Sequence, residues 1–261
     1  MRVLIRGSGD VASAIAYQLF GLDYQVLIHE QVKPAYIRRG MAFTDAVFDG
    51  KADLQGVWAK QAATTEDIYR MLDCGRAIPL LVNPLEELLQ TLKPDVLVDA
   101  RMLKRSVPEP QIGWAPLTIG LGPNFVVGQH TDIVIETAWG DHLGQVVEEG
   151  AALPLAGEPR EIMGLGRERC VYAAVAGEVS ALVEIGAWVE AGEIVALVGS
   201  ESIHAPISGF IRGICHSGVQ VNAGSKVIEL DPRTEGASLY GLGERPLRLA
   251  EAVVKALAAH G

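Results

Sequence analysis

The chain has 261 residues, 49% of them hydrophobic, with 22 Lys+Arg against 32 Asp+Glu and a formal net charge of −10. That apolar content excludes a disordered chain, and the acidic balance excludes nucleic acid and anionic membrane surfaces as partners, because both repel a negative surface. Two compact modules are the expectation at this length, since single cores stop growing efficiently at roughly 250 residues.

The longest apolar stretch, 181–198, is interrupted by Glu184, Glu190 and Glu193, so it cannot supply the roughly 20 uncharged residues of a spanning helix. Met1 to Gly7 lacks the apolar region of a secretory signal, which predicts a cytoplasmic protein. Cys74, Cys170 and Cys215 are far apart and in no metal-ligand spacing, so reduced, buried thiols and no metal site are expected.

In chain order, Arg2 to Arg6 reads as a buried parallel strand and Gly7-Ser8-Gly9 as a tight turn. A helix follows from Asp10, with Ala12, Ile15, Ala16 and Leu19 at helical spacing and Gly21 as its stop. Tyr24 to His29 is a second strand ending at Glu30, which completes a βαβ unit. A hairpin insertion is predicted next, with its tight turn at Asp49-Gly50 and 54–59 returning as a strand. Thr65 to Leu72 should be helical behind a Thr64 cap, and strands at 78–82 and 95–99 should flank a helix at 85–92.

Beyond Arg101 the texture becomes β-rich, with strands expected at 117–120, 133–137 and 143–147. The glycine- and proline-rich stretch 150–168 reads as a linker. The partition expected is a Rossmann-like α/β domain with a β-rich second half over 1–150, a linker over 151–169, a β-domain over 170–232, and a tail over 233–261. The tail should hold an amphipathic helix, with Leu247, Ala250, Val253, Val254 and Leu257 spaced to pack on a domain or to close a dimer.

The β-domain rests on an internal repeat. Laying 173–198 over 205–230 at a shift of 32 residues matches Gly177 with Gly209, Gly186 with Gly218, Val189 with Val221 and Gly192 with Gly224. Each copy alone is a few short strands with an unburied face, and two copies can cover one another. The pair resembles the biotinyl/lipoyl-like hammerhead, a small all-β barrel of two similar halves. In carrier members of that family a modified lysine sits on the hairpin between the halves. The matching stretch here, 198–204, has no lysine, and Lys226 lies within the second copy. No biotin or lipoate attachment is therefore expected, and His204 is a candidate interaction residue.

Gly7, Gly9 and Ala12 stand at the spacing of a dinucleotide-binding turn. Gly7 permits the turn, Gly9 lets a diphosphate approach the backbone, and Ala12 lets helix and strand pack closely, while Ser8 and Asp10 contribute amides facing the ligand. Glu30, about 20 residues on, is placed to accept ribose hydroxyls and to reject a 2′-phosphate. NAD, another nucleotide or a pterin dinucleotide would fit that pattern. Asp10 could instead cap the helix or hold a cation or amine, and the fold could keep the turn without the ligand.

Polar residues also gather where strands end, the ligand edge of an open α/β sheet. Arg38-Arg39, Asp99, Arg101, Lys104, Arg105, His130, Asp132 and Glu136 suggest an anionic-substrate pocket, with Asp99 and His130 as an acid/base pair. The alternative is that Asp99 and Asp132 cap loops while His130 packs.

The order of 5–12, Arg38-Arg39 with Ala42-Phe43, 95–100, 119–125, 134–137, Trp139-Gly140, Leu143-Gly144 and 205–209 is similar to one family. It is the selenium-dependent molybdenum hydroxylase maturation family, of the YqeB type. The resemblance implies an accessory role in maturing such hydroxylases, with the hydroxylase or other maturation proteins as partners. Asp141-His142 reverses the family's usual order before Leu143. Two functional readings follow: a maturation factor that holds a nucleotide-bearing ligand, or an NAD-dependent oxidoreductase acting on a small anionic substrate.

Overall fold

A computed structural model describes residues 1–104, 106–155 and 161–260. The apolar runs of the first half become β1 (Arg2–Arg6), β2 (Gln25–His29), β3 (Lys51–Leu54), β4 (Val57–Gln61), β5 (Ile78–Leu81), β6 (Val96–Asp99), β7 (Leu117–Leu121), β8 (Ile133–Ile135) and β9 (Val146–Val147). They form a single sheet in the order β3-β4-β5-β2-β1-β6-β7-β8-β9. Only the edge pairs β3/β4 and β8/β9 run antiparallel. The central strands are buried because helices cover both faces: α1 (Asp10–Gly21), α2 (Ala46–Asp49), α3 (Thr65–Cys74) and α4 (Leu85–Leu92). The chain moves to one side of β1 through β2 and to the other through β6, so the C-terminal ends of β1 and β6 flank the point where strand order reverses.

Local chemistry sets these boundaries. Thr64 accepts the Asp67 N–H at the start of α3, and Gly75, at φ 60°, ends that helix. At the end of β7 no side chain fits at Gly120, because an added Cβ would lie 2.2 Å from the Phe125 ring.

The β3/β4 hairpin is present, but its turn is Gln55-Gly56, both at positive φ, and not Asp49-Gly50. Gly50 instead ends α2 in the left-handed conformation, so 54–59 straddles a turn.

The second half forms β10 (Cys170–Tyr172), β11 (Gly177–Ala181), β12 (Trp188–Val189), β13 (Ile194–Val198), β14 (Glu201–His204), β15 (Gly209–Ile214), β16 (Gln220–Val221) and β17 (Lys226–Asp231). Two four-stranded sheets result, β10-β17-β15-β12 and β14-β13-β11-β16. The 32-residue shift carries β11 onto β15, β12 onto β16 and β13 onto β17, and it aligns β10 with β14. Exchanging the copies therefore turns one sheet into the other. Each lends its two-residue strand to its counterpart, β12 pairing β15 and β16 pairing β11, so neither copy is complete alone.

The segment after β2 joins the two bodies. Ile37 is buried in the core of the β body, its carbonyl accepts the Ile214 N–H at 2.9 Å, and Gly213 leaves the room this approach needs. The α5 helix (Glu244–His260) lays Leu249, Ala250, Val253, Ala256 and Leu257 on the core shared with Ile15 and Leu19 of α1. That apolar face is covered within the chain. Cys170 and Cys215 are buried, burial pushing the Cys215 thiol up to about 12, but Cys74 is exposed, contrary to expectation. The predicted linker lies partly outside the described residues, as does Arg105. No helix among the described residues is long and apolar enough to cross a membrane.

Candidate anion-binding site

The glycine turn forms where the spacing predicts, between β1 and α1. Gly7 takes φ 102° and lies against Arg101, whose Cα would be 3.1 Å from an added Cβ. The turn is nevertheless filled. Glu30 folds back, and its carboxylate accepts the Ser8 N–H at 2.8 Å and the Ser8 hydroxyl at 2.9 Å. Tyr36 covers Gly9, its ring carbon 2.6 Å from where a Cβ would stand, and its hydroxyl accepts the Asp10 N–H at 2.8 Å. The Asp10 carboxylate accepts the Val11 N–H at 2.9 Å and pairs with Arg38 at 3.1 Å. Gly7, Ser8, Gly9, Asp10, Ala12 and Glu30 thus share one cluster, but amides that a diphosphate would use are already occupied. As folded, these residues do not fit a diphosphate over Gly9 or a ribose on Glu30, and no hydride-transfer step follows from them.

Beside the turn the charge reverses. Arg38 bridges Asp10 and the β-body carboxylate Glu229, reaching the latter at 3.0 Å. Glu229, fully buried, also accepts from Arg169 at 2.7 Å and from Lys226 at 2.5 Å. Burial opposes its ionisation, yet Arg38, Lys226 and Arg169 hold its carboxyl well below the usual carboxylate range.

Around this hub stand two cations without carboxylate partners among the described residues. Arg245, half-buried at the start of α5, donates from Nε and Nη2 to the Thr137 carbonyl at 3.0 and 2.7 Å. Lys104, just after β6, is exposed. Burial first, then the charges of Arg245, Arg38 and Lys226, pull its ammonium below the ordinary lysine value. Like charges that act on one another repel, and an anion placed among them relieves that repulsion.

At the ends of β1 and β6 lies a second cluster. Asp99, 2% exposed, accepts from Arg6 at 3.2 Å, from Arg101 Nη2 at 2.6 Å and from Gln111 Nε2 at 2.7 Å. Glu109 accepts from Arg6 at 2.7 Å and from Arg101 at 3.0 Å, while Arg6 stacks over Trp114 at 5.4 Å. Burial, then the Arg6 and Arg101 charges, pull the nearby His29 imidazole down to about 4.

The predicted Asp99/His130 pair does not form. His130 is 4% exposed, its Nδ1 accepts the Val126 N–H at 2.9 Å, and it meets Asp99 only through Gln111, whose N–H donates to the His130 carbonyl at 2.7 Å. Its acceptor nitrogen is committed to the backbone and Asp99 to two guanidinium groups, so neither is a free base.

Other candidates are structural. Asp132 accepts from the Thr118 N–H and hydroxyl, Glu136 from the Thr137, Ala138 and Leu153 amides, and Arg39 holds Asp45 and the Ile214 carbonyl. His142 contacts Gln145 on the surface. His204 is not at the hairpin tip, which is Gly199-Ser200; it ends β14 and bonds the Gly192 carbonyl at 2.9 Å. Arg6, Tyr36, Glu109, Gln111, Glu229 and Arg245 are the site residues the sequence reading missed. Arg6 and Glu229 had a signal, since each is a charge inside an apolar strand and needs a buried partner. Among the described residues no His, Cys, Asp and Glu cluster could hold a metal.

No protein-family model matches the chain. It is 37% identical over 255 residues, 98% of its length, to a protein of Escherichia coli (strain K12) called uncharacterized protein YqeB. Among solved structures, the product-bound ectoine utilization protein EutE (DoeB) from Ruegeria pomeroyi covers 88% of this chain and 84% of its own at 13% identity, with a TM-score of 0.27. A succinylglutamate desuccinylase from Silicibacter sp. TM1040 covers the same shares at 12% identity and a TM-score of 0.24. Superpositions that loose do not establish a common fold. The chain is a homologue of YqeB along nearly its whole length, and it spans about half, 47%, of that relative.

Proposed function

We propose that the chain is an accessory factor in the maturation of selenium-dependent molybdenum hydroxylases. On this reading the sheet's ligand edge holds an anionic molecule, and the β body docks the hydroxylase or another maturation protein. The ligand half rests on Arg245, which donates to the Thr137 carbonyl and pairs with no carboxylate among the described residues, and on the exposed Lys104, whose ammonium is depressed by burial and by the charges of Arg245, Arg38 and Lys226. A phosphate group suits such a cluster, and nucleotides and pterin dinucleotides are the ligands of that class. The phosphate would sit among these cations, beside the Tyr36-covered turn.

For the docking half, the exchange of the two β-body sheets under the 32-residue shift supports the biotinyl/lipoyl-like reading. Its tip, Gly199-Ser200, has no lysine to carry biotin or lipoate. Leu182, Trp188 and Ile194 are exposed on the same body, a surface that suits a protein partner. Incubating immature hydroxylase with this protein tests the proposal. The expected result is a rise in hydroxylase activity that depends on added protein and is lost in Lys104→Ala/Arg245→Ala. Steady NAD(H) turnover on a small substrate with no protein partner, or no effect on the hydroxylase, would overturn it.

A further inference from the structure

We infer that Arg6 and Arg101 form an oxyanion receptor for a carboxylate or phosphate group of a small ligand, and that Glu109 is the resident group such a ligand displaces. Charge balance is the first ground. Two guanidinium groups meet one buried carboxylate, Asp99, and among the described residues the remaining positive charge is neutralised from the rim, by Glu109.

Burial is the second. The Arg6 side chain is 6% exposed and cannot follow a partner into solvent, whereas that of Glu109 is 40% exposed. Glu109 can therefore leave by rotating about its own side-chain bonds while the receptor stays in place. Arg6 is held by Asp99 and by the Trp114 ring, and Arg101 by both Asp99 oxygens.

The third ground is unmet hydrogen-bonding capacity. Arg6 Nε and Gln111 Oε1 are buried without partners, in residues no more than 5% exposed. A ligand or water entering beside Glu109 would find a donor and an acceptor waiting. The receptor uses different side chains from the Lys104–Arg245 cluster, so the two proposals fail separately.

The test is calorimetric titration of malonate and of inorganic phosphate into the full chain at low salt, followed by variants. Both Glu109→Ala and Glu109→Gln should bind one of these anions about tenfold more tightly than the unsubstituted protein, the factor that one charge-assisted hydrogen bond is worth. Adding Arg101→Ala should erase that gain. Preference for malonate assigns the receptor to carboxylates, and preference for phosphate to phosphoryl groups. In the unsubstituted protein, the favoured anion should shift the Arg101 Nε–H resonance in a saturable way, which needs no variant to fold. Equal affinity with and without Glu109, a gain that survives Arg101→Ala, or an unmoved Arg101 resonance would each overturn the inference.

Discussion

Glu229→Gln is the substitution with the sharpest expected effect. Glu229 is fully buried and accepts from Arg38 at 3.0 Å, Arg169 at 2.7 Å and Lys226 at 2.5 Å, with Arg212 at 3.5 Å. Each charge-assisted bond is worth roughly 1.5–3 kcal/mol. Glutamine keeps one oxygen acceptor but turns an amide N–H₂ toward guanidinium groups and removes the charge that holds the cations together. Breaking one partner of a buried ionic cluster costs about 3–5 kcal/mol, and that is the expected loss. Urea denaturation at constant slope measures it through the midpoint.

The same residue sets a pH signature. Its folded carboxyl lies well below the usual range, so its contribution is complete above the unfolded value of about 4.3 and is lost as pH falls through the folded value. The unsubstituted protein should therefore lose stability from about pH 5 downward, and the variant should show a flatter acid limb. A loss under about 1 kcal/mol, or an unchanged acid limb, would refute the view of Glu229 as the ionic hub.

Two further outcomes follow from packing. Gly9→Val should cost about 1–3 kcal/mol, because its Cβ meets the Tyr36 ring at 2.6 Å, and Tyr36→Ala should recover part of that loss in a double-mutant cycle by thermal denaturation. Leu249→Ala should destabilise by about 2–5 kcal/mol in denaturant titration and leave the sedimentation coefficient of the folded protein unchanged, because α5 spends its apolar face on α1.

What the sequence made legible is local. The strands at 2–6, 78–82 and 95–99 are short apolar runs bounded by turns, the helices at 10–21, 65–74 and 85–92 show their period, and the repeat is visible because turn glycines recur at one interval. The hairpin turn lies elsewhere because Gly50 takes positive φ as the end of α2 while Gln55 and Gly56 both take it in the turn itself, and composition favours Asp49-Gly50 where strand pairing selects the second site.

The contents of the glycine turn were hidden for a different reason. That Glu30 turns inward onto Ser8, and that Tyr36 crosses over Gly9, depends on Ile37 being drawn into the β body, a contact between residues 37 and 214 that no local pattern encodes. Asp99 and Arg101 were visible as polar residues at a strand end. Their commitment to Arg6, Glu109 and Gln111 depends on the path of the chain between β6 and β7.

On the proposed reading, the sheet's ligand edge receives an anion through Lys104 and Arg245. Calorimetric titration of ATP, NAD and a cytidine-containing dinucleotide into the unsubstituted protein and into Lys104→Ala/Arg245→Ala tests it most directly. Saturable binding of at least one of the three, weakened about 10- to 100-fold in the double variant and falling with added salt, is the expected result. Binding of equal strength in both proteins, or none in either, would rule out Lys104 and Arg245 as the anion's hosts.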